Sequence, residues 1–145
     1  MKRTAIGLLA VFALVQAGAA ELEWLTDLPR AQAKAKTENK MVLLDFTGSD
    51  WCIWCVRLKD EIFSKPEFAE YAKKNLVLVE VDFPRQKPIS EQQKKANRAL
   101  AEKYGIRGYP TLIILDRNGK KSGEMGYMRG GPKPFIAELE KLKSK

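Results

Sequence analysis

Three apolar runs of strand length govern what this chain can fold into: MVLLDF at 41–46, NLVLVEVDF at 75–83 and YPTLIILD at 109–116. Each is nearly continuous rather than alternating, as in strands covered on both faces. The segments between them read as helices. Pro29 sits near the start of one that ends by Asn39, behind a short packing segment of Trp24, Leu25 and Leu28. Cys55, Leu58 and Ile62 recur at helical spacing from Cys52 to about Ser64, and Pro66 restarts a short helix over 66–74. After a proline- and lysine-rich loop, Ser90 with Gln93 forms a capping-box pattern that opens a helix to about Tyr104, ended by Gly105. Asn118-Gly119 is a hairpin signal leading to a strand around Lys121–Tyr127. A closing amphipathic helix then runs from Pro134 to Lys143. The order α, β, α, β, α, β, β, α predicts an α/β fold: a central mixed sheet of four or five strands with helices on both faces. At 145 residues the chain has room for one ordinary domain.

The first twenty residues read as an address. Lys2 and Arg3 precede an unbroken apolar run from Ala5 to Val15, and Ala17-Gly18-Ala19-Ala20 offers small residues for cleavage after Ala19 or Ala20. That is the layout of a secretory signal peptide, and the run is far shorter than the roughly 20 residues that span a bilayer. An uncleaved anchor is the alternative. The folded domain is then expected over 21–145, periplasmic or secreted, where disulfides form and persist. The net charge of +8 does not point to nucleic acid, because its lysines and arginines are interleaved with acids, as in KAKTENK and ELEKLKSK. The chain has no histidine, which removes His-based catalysis and His-ligated metal sites.

The two cysteines, Cys52 and Cys55, lie three residues apart in DFTGSDWCIWCVRLKDEIF. A structural staple across so short a loop removes little chain entropy. A structural zinc site requires four ligands, so two cysteines without histidine would need a second chain. A redox pair fits better. Cys52 stands at the predicted helix start, where free backbone N–H groups and the helix dipole favour a thiolate. Cys55 lies one turn on, on the same face. Cys52 is therefore expected to attack a substrate disulfide and Cys55 to resolve the mixed disulfide.

From Met41 to Gly126 the chain resembles the thioredoxin superfamily. The carriers are VLLDF, then WCIWC opening a helix, VLVEVDF, a helix ending KYGIRGYPT, LIILD, the Asn118-Gly119 turn and Gly126. WCxxC followed about fifty residues later by YGIRGYPT is the specific combination. More narrowly, the chain is similar to secreted bacterial thioredoxin-like disulfide reductases that carry GSDWCxWC. The resemblance implies that Pro110 follows a cis bond and lies against the cysteine pair. It implies that Tyr109 offers backbone groups to an extended substrate; the alternative is a plain surface aromatic. Asp45 matches the buried acid that exchanges a proton with the second cysteine, although one extra residue separates it from Cys52 here. Asp50 is otherwise a solvated turn residue. Ile53-Trp54 replaces the family's Gly-Pro. Trp54 is expected to be an exposed aromatic that contacts substrate, rather than folded back as packing, with Ile53 beside it and Trp51 packed at the site as a shield.

Strongly oxidising members of this superfamily often carry a histidine between the cysteines, whereas Ile53 and Trp54 place no imidazole there to donate to the sulfur. The expectation is a disulfide reductase acting on secreted proteins. It would be a monomer with no cofactor beyond its redox-active Cys52–Cys55 disulfide, recharged by a membrane thiol-electron donor. The rivals are a disulfide oxidase and a non-catalytic peptide-binding module of the same fold.

Overall fold

A computed structural model describes residues 21–143, so the expected signal segment lies outside the described residues. The chain runs β1 (Trp24–Leu25), α1 (Leu28–Glu38), β2 (Met41–Thr47), α2 (Ile53–Leu58), a π-helical turn (Lys59–Phe63), α3 (Pro66–Asn75), β3 (Leu76–Asp82), α4 (Glu91–Tyr104), β4 (Thr111–Leu115), β5 (Lys121–Met125) and α5 (Pro132–Lys143). The five strands form one sheet in the order β1-β3-β2-β4-β5. The β1/β3 and β2/β3 pairs are parallel, while β2/β4 and β4/β5 are antiparallel. This is the mixed sheet expected, with the fifth strand supplied by Trp24 and Leu25 from the supposed packing segment.

Local chemistry explains most element ends. The Asp27 carboxylate accepts the Arg30 N–H at 2.7 Å to cap α1, and Asn39 ends it in the left-handed region at φ 56°. Ser90 Oγ accepts the Gln93 N–H at 3.1 Å, and Gly105 ends α4 at φ 65°. Only half of the capping box forms, because the Gln93 amide instead donates to the Thr26 carbonyl and to Asn97 Oδ1. The cysteine helix also departs from expectation. Its last turn widens to π geometry, and this brings the consecutive residues Ile62 and Phe63 both into the core. α5 begins at Pro132, two residues earlier than predicted.

β2 is buried along its whole length, and its alternation divides the interior in two. Met41 and Leu43 pack with Leu58, Ile62, Phe63, Phe68 and Phe135, under α2, α3 and α5. Val42, Leu44 and Phe46 pack with Val77, Val79 and Ile113 toward α1 and α4. Each such side chain contributes roughly 1.5–3 kcal/mol when fully buried. On the first face the apolar series stops before the strands do. Asp45 and Thr47 follow Leu43 on β2, and their register partners on β3 are Glu80 and Asp82. The carboxyl ends of these two parallel strands therefore turn polar beneath the cysteine helix, at the end of the sheet where α/β folds place their sites.

Candidate active site

Cys52 is the N-cap of α2, with extended backbone (φ −90°, ψ 106°), and its Sγ accepts the Cys55 N–H at 3.3 Å. The two cysteines are joined as a disulfide with their Cα atoms 5.2 Å apart. The sulfur thus receives one of the backbone N–H groups that a helix start leaves free. The preceding turn folds onto one carbonyl: both Trp51 N–H and Cys52 N–H donate to Gly48 O, at 3.2 and 2.9 Å. A side chain at Gly48 has no room, since a Cβ there would lie 2.4 Å from the Trp51 indole.

The cysteines are recessed, at 7% and 5% exposure, whereas Ile53 and Trp54 between them are 64% and 43% exposed. Trp54 does not stand free, because its ring lies 5.2 Å from Tyr127 and Arg57 stacks 5.1 Å from its centroid. Tyr127 in turn donates to Glu61 Oε2 at 2.5 Å. Trp54 is thus both partly packed and partly exposed, which combines the two readings of it. Trp51 is fixed more firmly. Its Nε1 donates to the Phe83 carbonyl at 2.8 Å, Tyr109 meets it edge-on at 5.7 Å, and Arg85 covers its ring at 4.2 Å.

The peptide bond between Tyr109 and Pro110 is cis. Pro110 directly precedes β4, whose first residue, Thr111, pairs with Phe46, so it stands at the same end of the sheet as the cysteines. The Tyr109 ring is half-buried between Trp51 and Phe83, so it is not a plain surface aromatic.

Asp45 and Cys55 line one cleft of about 670 Å³, together with Thr47, Ser49, Lys59 and Glu80. Asp45 is buried, and its Oδ1 has no hydrogen-bond partner among the described residues. Burial, reinforced by the charges of Glu80 and Asp82, pushes its carboxyl up to about 8. Asp82 is satisfied where Asp45 is not: it accepts the Ser49 N–H at 3.0 Å and the Ser49 hydroxyl at 2.5 Å, with Lys87 at 3.7 Å.

Asp50 is the exposed turn residue expected, but it does more: its carboxylate accepts the N–H groups of Arg85, Gln86 and Lys87 at 2.7–2.9 Å. These three bonds hold the carboxyl down at about 2. The polar loop after β3 is thereby clamped beside the cysteine turn, which carries Arg85 over Trp51. Sequence reasoning missed Asp50, Arg85, Arg57 and Tyr127. The only local signal was the bare Gly48-Ser49-Asp50 turn.

Comparison with known proteins agrees with this geometry. A model of the thioredoxin-like domain matches residues 28–143. A relative named disulfide bond reductase DsbH, from Chlamydia pneumoniae, is 36% identical over 122 residues, which is 84% of this chain and 73% of the relative. The solved structure titled DsbH oxidoreductase superposes with a TM-score of 0.82 at 32% identity, covering 95% of each chain. The thiol:disulfide interchange protein DsbD of Pasteurella multocida is 30% identical over 116 residues, and there the match spans only 18% of the longer relative. The chain belongs to the thioredoxin-like domain family and is a thiol–disulfide oxidoreductase with the Cys52–Cys55 pair in its CxxC segment.

Proposed function

We propose that this oxidoreductase reduces disulfides of secreted proteins outside the cytoplasmic membrane, after a signal peptide is cleaved at Ala19 or Ala20. The observation that carries the mechanism is the pair itself: Cys52 capping α2 with a backbone N–H on its sulfur, and Cys55 lining one cleft with the unpaired acid Asp45. In the reduced protein the Cys52 thiolate attacks a substrate disulfide. A bond forms between Cys52 Sγ and one substrate sulfur, and the other substrate sulfur leaves as a thiolate. Cys55 then gives its proton to the Asp45 carboxylate and attacks Cys52 Sγ. This releases the second substrate thiolate and leaves the Cys52–Cys55 disulfide. Two electrons have passed to the substrate, and Asp45 later returns its proton when the pair is reduced again. Burial tunes that carboxyl to about 8, close to the range in which a thiol exchanges protons. Trp51, Ile53, Trp54, Tyr109 and Pro110 form the surface that receives the substrate.

The direction rests on the dipeptide. Ile53 and Trp54 bring no donor to either sulfur, so the thiolate has the helix start and the Cys55 N–H alone. The reductase named among the relatives supports the same direction. Recharging falls to a dithiol of a membrane thiol-electron transporter, a partner suggested by the similarity to DsbD.

The test is a Cys55→Ser variant, which should accumulate mixed disulfides on Cys52 that mass spectrometry can identify, with Cys52→Ser as the blank. Absence of any adduct sinks the catalytic assignment. A reduction potential near that of thioredoxin, about −270 mV, is expected. A value near the strong oxidant's, about −120 mV, would make the protein an oxidase instead.

A further inference from the structure

The large hydrophobic side chains left exposed among the described residues are Trp51, Ile53, Trp54 and Val56, all within four positions of a cysteine. An apolar patch rimmed by polar groups marks a recognition surface. What distinguishes this one is its charge. The Arg85 guanidinium carbon lies over the Trp51 ring, 4.2 Å from its centroid, and that of Arg57 over the Trp54 ring at 5.1 Å. Arg129, exposed on the loop after β5, bears electrostatically on the Tyr127 hydroxyl together with Arg57, and Tyr127 backs Trp54. Each indole therefore carries one guanidinium group, and a third bears on the tyrosine that backs Trp54.

The neighbouring acids are already engaged. Asp50 is committed to three backbone N–H groups, Glu61 to the Tyr127 hydroxyl, and Asp82 to Ser49 and Lys87. Asp60 remains exposed, next to the exposed Lys59. A guanidinium stacked through its face on an indole keeps its N–H edges free for a carboxylate. It is also partly ordered in advance, so pairing costs less entropy than for a free side chain. Arg85 is the more constrained of the two, since the backbone that bears it is tied down by Asp50.

We propose that this surface selects disulfides in polypeptide segments that carry acidic side chains beside an aromatic or aliphatic residue. The apolar residue would lie on Ile53 and Trp54, and the carboxylates would meet Arg57, Arg85 and Arg129. The proposal names the substrate class for the reductase activity and rests on that reading.

The experiment uses the reduced full chain and three disulfides: a peptide whose cystine is flanked by one Trp and several Glu, the same peptide with Lys for Glu, and uncharged bis(2-hydroxyethyl) disulfide. The rate constant for the Glu peptide should exceed that for the Lys peptide by about tenfold or more at low ionic strength. The gap should close in about 1 M salt, where the Debye length is about 3 Å. In an Arg57→Glu/Arg85→Glu variant the ratio of the two rates should fall to about unity or invert. The ratio cancels any change in thiolate reactivity, because both peptides meet the same sulfur. Should that variant not fold, single Arg57→Gln and Arg129→Gln variants should each lower the ratio. Equal rates for the two peptides with the wild-type protein, or an undiminished ratio in the variants, overturns the acidic preference while leaving the reductase reading intact. Failure to reduce bis(2-hydroxyethyl) disulfide overturns the reductase reading and this proposal with it.

Discussion

Asp45 enters the sheet between Leu44 and Phe46, and its side chain faces a register partner, Glu80, of the same charge. In the unfolded chain this carboxyl ionises near its ordinary value of 3.8; in the folded protein it does so near 8. The sign follows directly. Below the lower value both states are protonated and the site adds no pH-dependent term. As pH rises toward the upper value, only the unfolded state ionises, so stability is progressively lost, and above it the loss is complete. Every tenfold weakening of the acid on folding is worth about 1.4 kcal/mol, which caps the loss at several kcal/mol. Asp45→Asn removes the titration. Urea unfolding of the oxidised protein between about pH 4 and 9 should show the wild type losing a few kcal/mol relative to the variant. Parallel stability curves would mean that Asp45 titrates normally, and the proton step assigned to it would fall.

The cysteine helix depends on two connecting segments, the turn at 48–52 and the loop at 83–90, and Asp50 links them across 35–37 positions of sequence. Asp50→Ala should speed hydrogen exchange at the Arg85, Gln86 and Lys87 amides and raise the mobility of Trp51, read by fluorescence anisotropy, with α4 protection unchanged. Because the folded carboxyl is held at about 2, the clamp is intact at neutral pH and is lost as pH falls through that value. Unchanged exchange at the three amides would show that the loop is held by something else. The clamp also marks how far the sequence can be read. β2, β3 and β4 were legible because they are continuous apolar runs, and the ends of α1 and α4 because Pro29, Asn39, Ser90 and Gly105 act on their own neighbours, although the cap by Asp27 was not read. The cysteine pair was legible because three residues and a helix start define it. Trp24-Leu25 was not, since two residues become a strand only by pairing with Leu78 and Val79. Asp50, Arg85 and Tyr127 take their roles from partners far along the chain, and the composition of the polar loop gave no hint of them.

At the scale of the whole molecule, the redox state of two sulfurs and the stability of the domain are one thermodynamic quantity. The Cys52–Cys55 pair can be reduced in the folded or the unfolded chain, and closing that cycle ties the difference in potential to the difference in folding free energy. About 30 mV corresponds to 1.4 kcal/mol for a two-electron couple. A strong oxidant is one whose fold favours the reduced form, through donors that hold the thiolate. Here the sulfur of Cys52 receives the Cys55 N–H at 3.3 Å, Ile53 and Trp54 add none, and Asp45 below Cys55 would place negative charge in the same cleft if it ionised. On the function proposed above, the thiolate has no support beyond that helix start, and the fold should favour the disulfide. Urea unfolding of the oxidised and reduced proteins under matched conditions should find the oxidised form more stable, by about 1–3 kcal/mol for a potential some tens of millivolts below that of the unfolded pair. The opposite order would require a fold that stabilises the dithiol and would turn the electron flow around. The measurement needs neither a client protein nor an electron donor, so it tests the direction of the chemistry independently of whatever the arginine-rimmed surface binds.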